Sequence, residues 1–204
     1  MKIGIISDTH LPNKLFGAWD VILEHLKDVD LILHAGDIQS ASVLDSLENV
    51  APVVAALGNN DLGPLEQDPR VKPTQVIEIE GWIIGIIHDL EPEDRPIEQL
   101  ISNHFGTHLD IVISGHTHWE KLELRNGIIH INPGSPNLPH NYSHRLGIVG
   151  IIDIKGQHLN AELVHLGDLP DLVNPSLKGL VMNATKTDEG IRVNGLANFK
   201  PTGI

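Results

Sequence analysis

The sequence contains no cysteine, which excludes disulfides, thiolate-held metals and a cysteine nucleophile together. Aromatic residues are only 3% of the 204, so Ile, Leu, Val and Ala must build the core. No stretch approaches the roughly 18 apolar residues that a membrane helix needs, and the apolar run behind Met1 is too short for a signal peptide. A soluble, cytoplasmic protein without a membrane partner is expected. Basic residues are scarce too: 14 Lys and Arg stand against 27 Asp and Glu, a net charge of -13. A surface that negative repels polyanions, which disfavours nucleic-acid polymers and anionic lipid as partners. Against these shortages stand a 41% hydrophobic content, enough to exclude wholesale disorder, and 13 histidines without any contiguous His run.

Apolar periodicity divides the chain into two styles. Lys2–Ser7, Asp30–Leu33, Pro52–Leu57, Val76–Glu80 and Trp82–His88 read as strands, several of them apolar on both faces. Between them Phe16, Trp19, Ile22, Leu23 and Leu26 fall at helical spacing, as do Val43, Leu44 and Leu47, and later Ile97, Leu100 and Ile101 after Arg95–Pro96. This alternation predicts βαβ units and a mainly parallel sheet. From Asp110 on, Asp110–Ser114, Glu120–Arg125, Gly127–Asn132, Leu146–Ile154 and His158–His165 read as strands, with hairpin turns at Arg125-Asn126-Gly127 and Lys155-Gly156-Gln157. The second half is therefore expected to lay an antiparallel sheet against the first, in one domain over residues 1–165 with helices outside. Residues 166–204 read as an extension: a tail, an added hairpin or a contact for homo-oligomerisation.

The chemistry gathers at strand ends. Ile3–Ser7 leads into Asp8-Thr9-His10, Leu31–Ala35 into Gly36-Asp37, and Val53–Leu57 into Gly58-Asn59-Asn60-Asp61. Ile83–Ile87 ends in His88, and Ile111–Ser114 in Gly115-His116-Thr117-His118. In open α/β sheets, ligands bind at that carboxyl edge. Carboxylate, amide oxygen and imidazole suit divalent first-row metals such as Mn, Fe, Ni, Zn or Co. Two Asp, one Asn and four His are too many for one ion and suffice for two if one carboxylate bridges. Each piece has a plainer reading: Gly-Asp and Gly-Asn-Asn-Asp are ordinary turns, and a lone strand-end His is commonly packed core. Their ordered recurrence at five strand ends is what points to a metal centre.

That ordered series, with Asn132-Pro133-Gly134-Ser135 after a later strand, resembles the calcineurin-like metallophosphoesterase superfamily and its small YfcE-type phosphodiesterase branch, over residues 1 to about 165. The resemblance implies an α/β sandwich of two sheets flanked by helices in four layers. It implies one metal held by Asp8, His10, Asp37 and His118, and a second by Asp37, Asn59, His88 and His116. The implied cofactors are two divalent ions, manganese foremost, which share a hydroxide that attacks phosphorus in line. Two departures stand out. Asn60 occupies the place where many relatives carry a leaving-group histidine, and His88-Asp89-Leu90 replaces the usual His-Gly-His. Asn60 is thus a candidate for the substrate or leaving-group side, with Asp61, Asp89 and His140 as other nearby proton donors. The expected function is a phosphodiesterase acting on a small phosphate ester. The alternatives are a non-catalytic binding scaffold of the same fold, or metal binding without turnover.

Overall fold

Strands rich in Ile and Val can bury both faces, and here they do so between one layer of helices and a second sheet. The computed structural model describes residues 1–10, 18–92, 94–141, 145–168 and 179–198. In chain order the strands are β1 (Lys2–Ile6), β2 (Leu31–His34), β3 (Val53–Ala56), β4 (Val71–Lys72), β5 (Thr74–Ile79), β6 (Trp82–Ile87), β7 (Ile111–Ile113), β8 (Glu120–Arg125) and β9 (Ile128–Pro133). They continue with β10 (Ile148–Lys155), β11 (His158–His165), β12 (Leu180–Thr187) and β13 (Gly190–Asn198). The helices are α1 (Ala18–Leu26), α2 (Ala41–Glu48) and α3 (Ile97–Phe105). Phe16, expected on the first helix, lies outside the described residues. Ser40 caps α2 through its side chain, and left-handed Gly106 ends α3.

Alternation along each strand assigns its faces. Ile3, Ile5 and Leu33 point between the sheets, where they meet Ile84, Ile86, Ile111, Ile113, Ile129 and Ile131 of the opposite layer. Ile6, Ile32 and Val53 point outward to Ile22 and Leu26 of α1 and to Val43, Leu44 and Leu47 of α2. On the far side, Ile97, Leu100 and Ile101 of α3 cover Val112 and Ile128. The result is the expected four-layer α/β sandwich: helices, sheet, sheet, helix.

The assignment of halves to sheets needs correction. The first sheet runs β13-β12-β11-β10-β1-β2-β3-β4 and the second β5-β6-β7-β9-β8. Strand β10 pairs antiparallel with β1, so β10 to β13 extend the first sheet and only β7, β8 and β9 of the second half enter the second. The second sheet takes β5 and β6 from the first half and carries parallel β6-β7-β9 at its centre. Periodicity marks which residues are buried but not which strand edge they meet. Both hairpin turns stand where expected, with Arg125 opposite Ile128 and Lys155 opposite His158. Of the readings left open for residues 166–204, positions 180–198 form the hairpin β12–β13 on β11. Among the described residues, no helix is long and apolar enough to cross a membrane.

Trp82 joins the layers at the end of the sandwich opposite the strand-end cluster. It is fully buried, and its indole N–H donates to the Gly156 carbonyl at the β10–β11 turn, 2.9 Å away. We expect Trp82→Ala to destabilise the fold by about 3–5 kcal/mol. Trp82→Phe should cost less, about 1–2 kcal/mol, for the lost hydrogen bond and the smaller ring. Urea midpoints at constant slope measure both, and equal losses would mean that the ring's volume is immaterial.

Candidate metal centre

Parallel β1, β2 and β3 of one sheet and parallel β6 and β7 of the other all deliver their carboxyl ends to one edge. There the chain turns sharply. Asp8, His10, Asp37, His116 and His118 all have positive φ, between 45° and 70°. Left-handed backbone is unfavourable for residues with a Cβ, so the surrounding contacts must impose it. The turns also approach closely. A Cβ at Gly58 would lie 2.1 Å from the Asp37 backbone nitrogen, and one at Gly115 would lie 1.9 Å from Ser7 Oγ. Only glycine lets these loops interlock.

The seven residues singled out in the sequence converge. His10 Nε2 lies 3.1 Å from His118 Nε2, and His118 Nε2 lies 3.4 Å from Asp8 Oδ1. His88 Nε2 is 2.9 Å from Asn59 Oδ1, and His116 Nδ1 is 3.0 Å from the same oxygen. Asp37 stands between these groups: its Oδ2 is 3.5 Å from His10 Nε2 and its Oδ1 is 3.4 Å from His88 Nε2. Two clusters, Asp8–His10–His118 and Asp8–Asp37–His88, each gather their donor atoms within 4.8 Å of one another. A third, Asp89–Glu91–His116, is exposed at both carboxylates.

The donor set fits divalent metal. His88 Nδ1 faces the Ala35 carbonyl at 2.8 Å, and His118 Nδ1 faces that of Leu138 at 2.8 Å. A proton placed on each Nδ1 leaves Nε2 a free lone pair aimed at the carboxylates, as a ligating imidazole requires. Burial lowers the pKa of His118, against the opposing bond to Leu138, and so favours its neutral form. Burial also raises the Asp8 carboxyl well above its ordinary range, despite hydrogen bonds from Ser7 and the His116 backbone. Burial pushes Asp37 in the same direction. His88, two hydrogen bonds from Asn60 and His10 outweigh it and hold that carboxyl below the usual value. A pair of buried acids, one of them resisting ionisation, is a site that calls for cations.

Asn60 is exposed beside the Asp37 carboxylate. Its side-chain amide donates to Asp37 Oδ2 at 2.6 Å, and its backbone N–H donates to Oδ1 at 2.9 Å. Asp61 is buried and accepts backbone N–H groups from Ile38, Gln39 and Gly58, at 2.7, 2.7 and 2.8 Å, tying two of the loops together. Asp89 is exposed and accepts the Glu91 N–H. His140 pairs with Glu120 at 2.6 Å. Asn132, Ser135 and Asn137 brace the turns, donating to the carbonyls of Gly115, Asp8 and Thr9. His34, which the sequence presents as an ordinary strand residue, is the unheralded member. Its Nδ1 accepts the Gly36 N–H at 3.1 Å and its Nε2 faces Thr9 Oγ1 at 3.2 Å, so it holds the Asp37 turn beside the Asp8 loop.

Residues 1–157 match the family model of the calcineurin-like phosphoesterase superfamily domain. A protein of Methanothermobacter thermautotrophicus named "probable metallophosphoesterase" is 36% identical over 169 residues, 82% of this chain and 94% of its own. A protein of Methanocaldococcus jannaschii named phosphodiesterase is 31% identical over 165 residues, 75% of this chain and 93% of its own. Among solved structures, a novel archaeal phosphodiesterase has 25% identity and a TM-score of 0.58, over 80% of this chain and 100% of its own. The Vps29 protein of Entamoeba histolytica, solved with zinc, has 20% identity and a TM-score of 0.65, over 98% and 100% of the two chains. At that identity the likeness is one of fold.

Burial lowers the pKa of His34 to about 3, with the nearby His88 adding to the effect. Between that value and about 6.5 the unfolded chain binds the extra proton. This contribution to stability is therefore complete above about pH 6.5 and is lost as pH falls, by about 1.4 kcal/mol per unit. In chelator-treated protein, urea melts from pH 7 to pH 5 should be flatter by that slope in His34→Gln than in wild type. Parallel curves would show that His34 titrates normally in the fold.

Proposed function

Because this chain belongs to the calcineurin-like phosphoesterase superfamily, we propose that it is a metal-dependent phosphodiesterase with a dinuclear centre, manganese foremost. The carrying observation is the Asp37 carboxylate, with one oxygen turned toward His10 and the other toward His88. In this reading Asp8, His10, Asp37 and His118 hold one ion, and Asp37, Asn59, His88 and His116 the other. When bound, two such ions supply hydroxide at neutral pH and positive charge for an in-line displacement at phosphorus. The working unit is residues 1–165, with 166–204 an extension.

The remaining roles fall to the chain. Asn60 fixes the Asp37 carboxylate through two hydrogen bonds, which keeps both of its oxygens directed. An amide at this position cannot give the leaving group a proton as an imidazole would, and general acid catalysis is typically worth about a hundredfold to ten-thousandfold. Asp61 is committed to three backbone N–H groups and is not a substitute acid. Diesters whose leaving group departs without a proton are therefore the favoured substrates. A pure scaffold would need no such donor set, which weighs against the non-catalytic reading.

Metal-stripped protein should hydrolyse bis-p-nitrophenyl phosphate only after Mn²⁺ is restored. Asp37→Asn, which keeps an oxygen donor but removes a charge, should lower turnover at least about a hundredfold. Elemental analysis should find less than half the metal in that variant. Two metals bound without turnover in wild type would make this a binding protein, and no metal uptake would make it a scaffold.

A further inference from the structure

Trp119 contributes nothing to the donor set, yet it follows His118 directly and is 53% exposed. The other two tryptophans are committed: Trp82 is fully buried, and Trp19 donates to Ser46 Oγ at 2.7 Å. An indole left 53% exposed offers a ligand a large apolar surface still to bury. It is also held rigidly. The ring lies on the His140 imidazole with centroids 3.7 Å apart and planes 6° apart. His140 is fixed in turn by Glu120 at 2.6 Å, both side chains being 6% exposed, and by its backbone N–H bond to the His118 carbonyl at 3.0 Å. One element thus orients a ligand candidate and backs the indole, leaving the opposite indole face to solvent.

A pre-stacked aromatic plate with one open face is the recognition element that nucleobases meet in proteins that bind them unpaired. Trp119 follows His118 in the chain and its stacking partner His140 bonds the His118 carbonyl, which places the indole next to the His118 loop. The net charge of -13 disfavours a polymer and leaves a small nucleotide. We infer that the open face of Trp119 stacks the base of a nucleotide phosphodiester whose phosphate lies in the metal centre. This specificity role rests on the phosphodiesterase reading above, but the stacking itself is a binding property.

The test compares AMP with ribose 5-phosphate, which share sugar and phosphate and differ by the base, against the Mn²⁺-loaded full chain by calorimetry. Wild type should bind AMP at least about fivefold more tightly than ribose 5-phosphate, since stacking one base on one aromatic side chain has at least that value. Trp119→Ala should reduce the preference to below about twofold, and Trp119→Phe should retain most of it. AMP should quench tryptophan emission in wild type and not in Trp119→Ala. Equal affinity for the two ligands in wild type, binding of neither, or a base preference that survives Trp119→Ala would each overturn the inference. Absent metal-dependent hydrolysis by wild type would count against the phosphodiesterase reading alone, because the base preference is read without turnover.

Discussion

Asp8 and Asp37 come from adjacent parallel strands and end buried beside imidazoles, an amide and backbone N–H groups. Two carboxylates in such a space repel each other, and burial resists the ionisation of Asp8. Most of the surrounding polar structure manages that tension. Ser7 and the His116 N–H hold Asp8, while Asn60 holds Asp37. His88 and His118 turn Nδ1 to backbone carbonyls and Nε2 inward, and burial lowers the pKa of His118. Left-handed backbone at five of the donors adds roughly 1–2 kcal/mol each, together comparable with the whole net stability of a domain. Contacts elsewhere must offset this, and the apolar layer between the sheets is the largest reserve.

That layer also fixes the geometry. One sheet supplies Asp8, His10, Asp37 and Asn59, and the other supplies His88, His116 and His118, so neither can form the centre alone. Pairing register sets both contributions. A slip of one residue in β2 or β6 would turn its buried set outward and move Asp37 or His88 away. The function proposed for this chain therefore depends on ordinary core packing between Ile-rich faces.

Much of this was legible in the sequence, for a physical reason. A strand buried on both faces must be apolar, so Ile3–Ile6 followed by Ser7-Asp8-Thr9-His10 announces its own end and the donors beyond it. The helices at Val43–Leu47 and Ile97–Ile101 were legible from spacing. Sheet membership was not, since β10 carries the same periodicity whichever edge it pairs with. The hairpin β12–β13 was obscured by its Asn, Thr and Lys residues, although Leu180, Met182 and Ala184 alternate inward. His34 and Asp61 were opaque because each joins loops far apart in sequence, His34 through the Thr9 hydroxyl and Asp61 through the Ile38 and Gln39 N–H groups. Asn60 was legible as a candidate for the substrate or leaving-group side, but its bond to Asp37 depends on a turn geometry that composition does not encode.

The central claim is that Asp37 lies between two ions. Anomalous diffraction at the manganese edge, from crystals of the full chain grown with Mn²⁺, tests it directly. The account requires two peaks, one beside His10 and His118 and one beside His88 and His116, with an Asp37 oxygen bonded to each. A single peak, or two peaks without Asp37 between them, would contradict it.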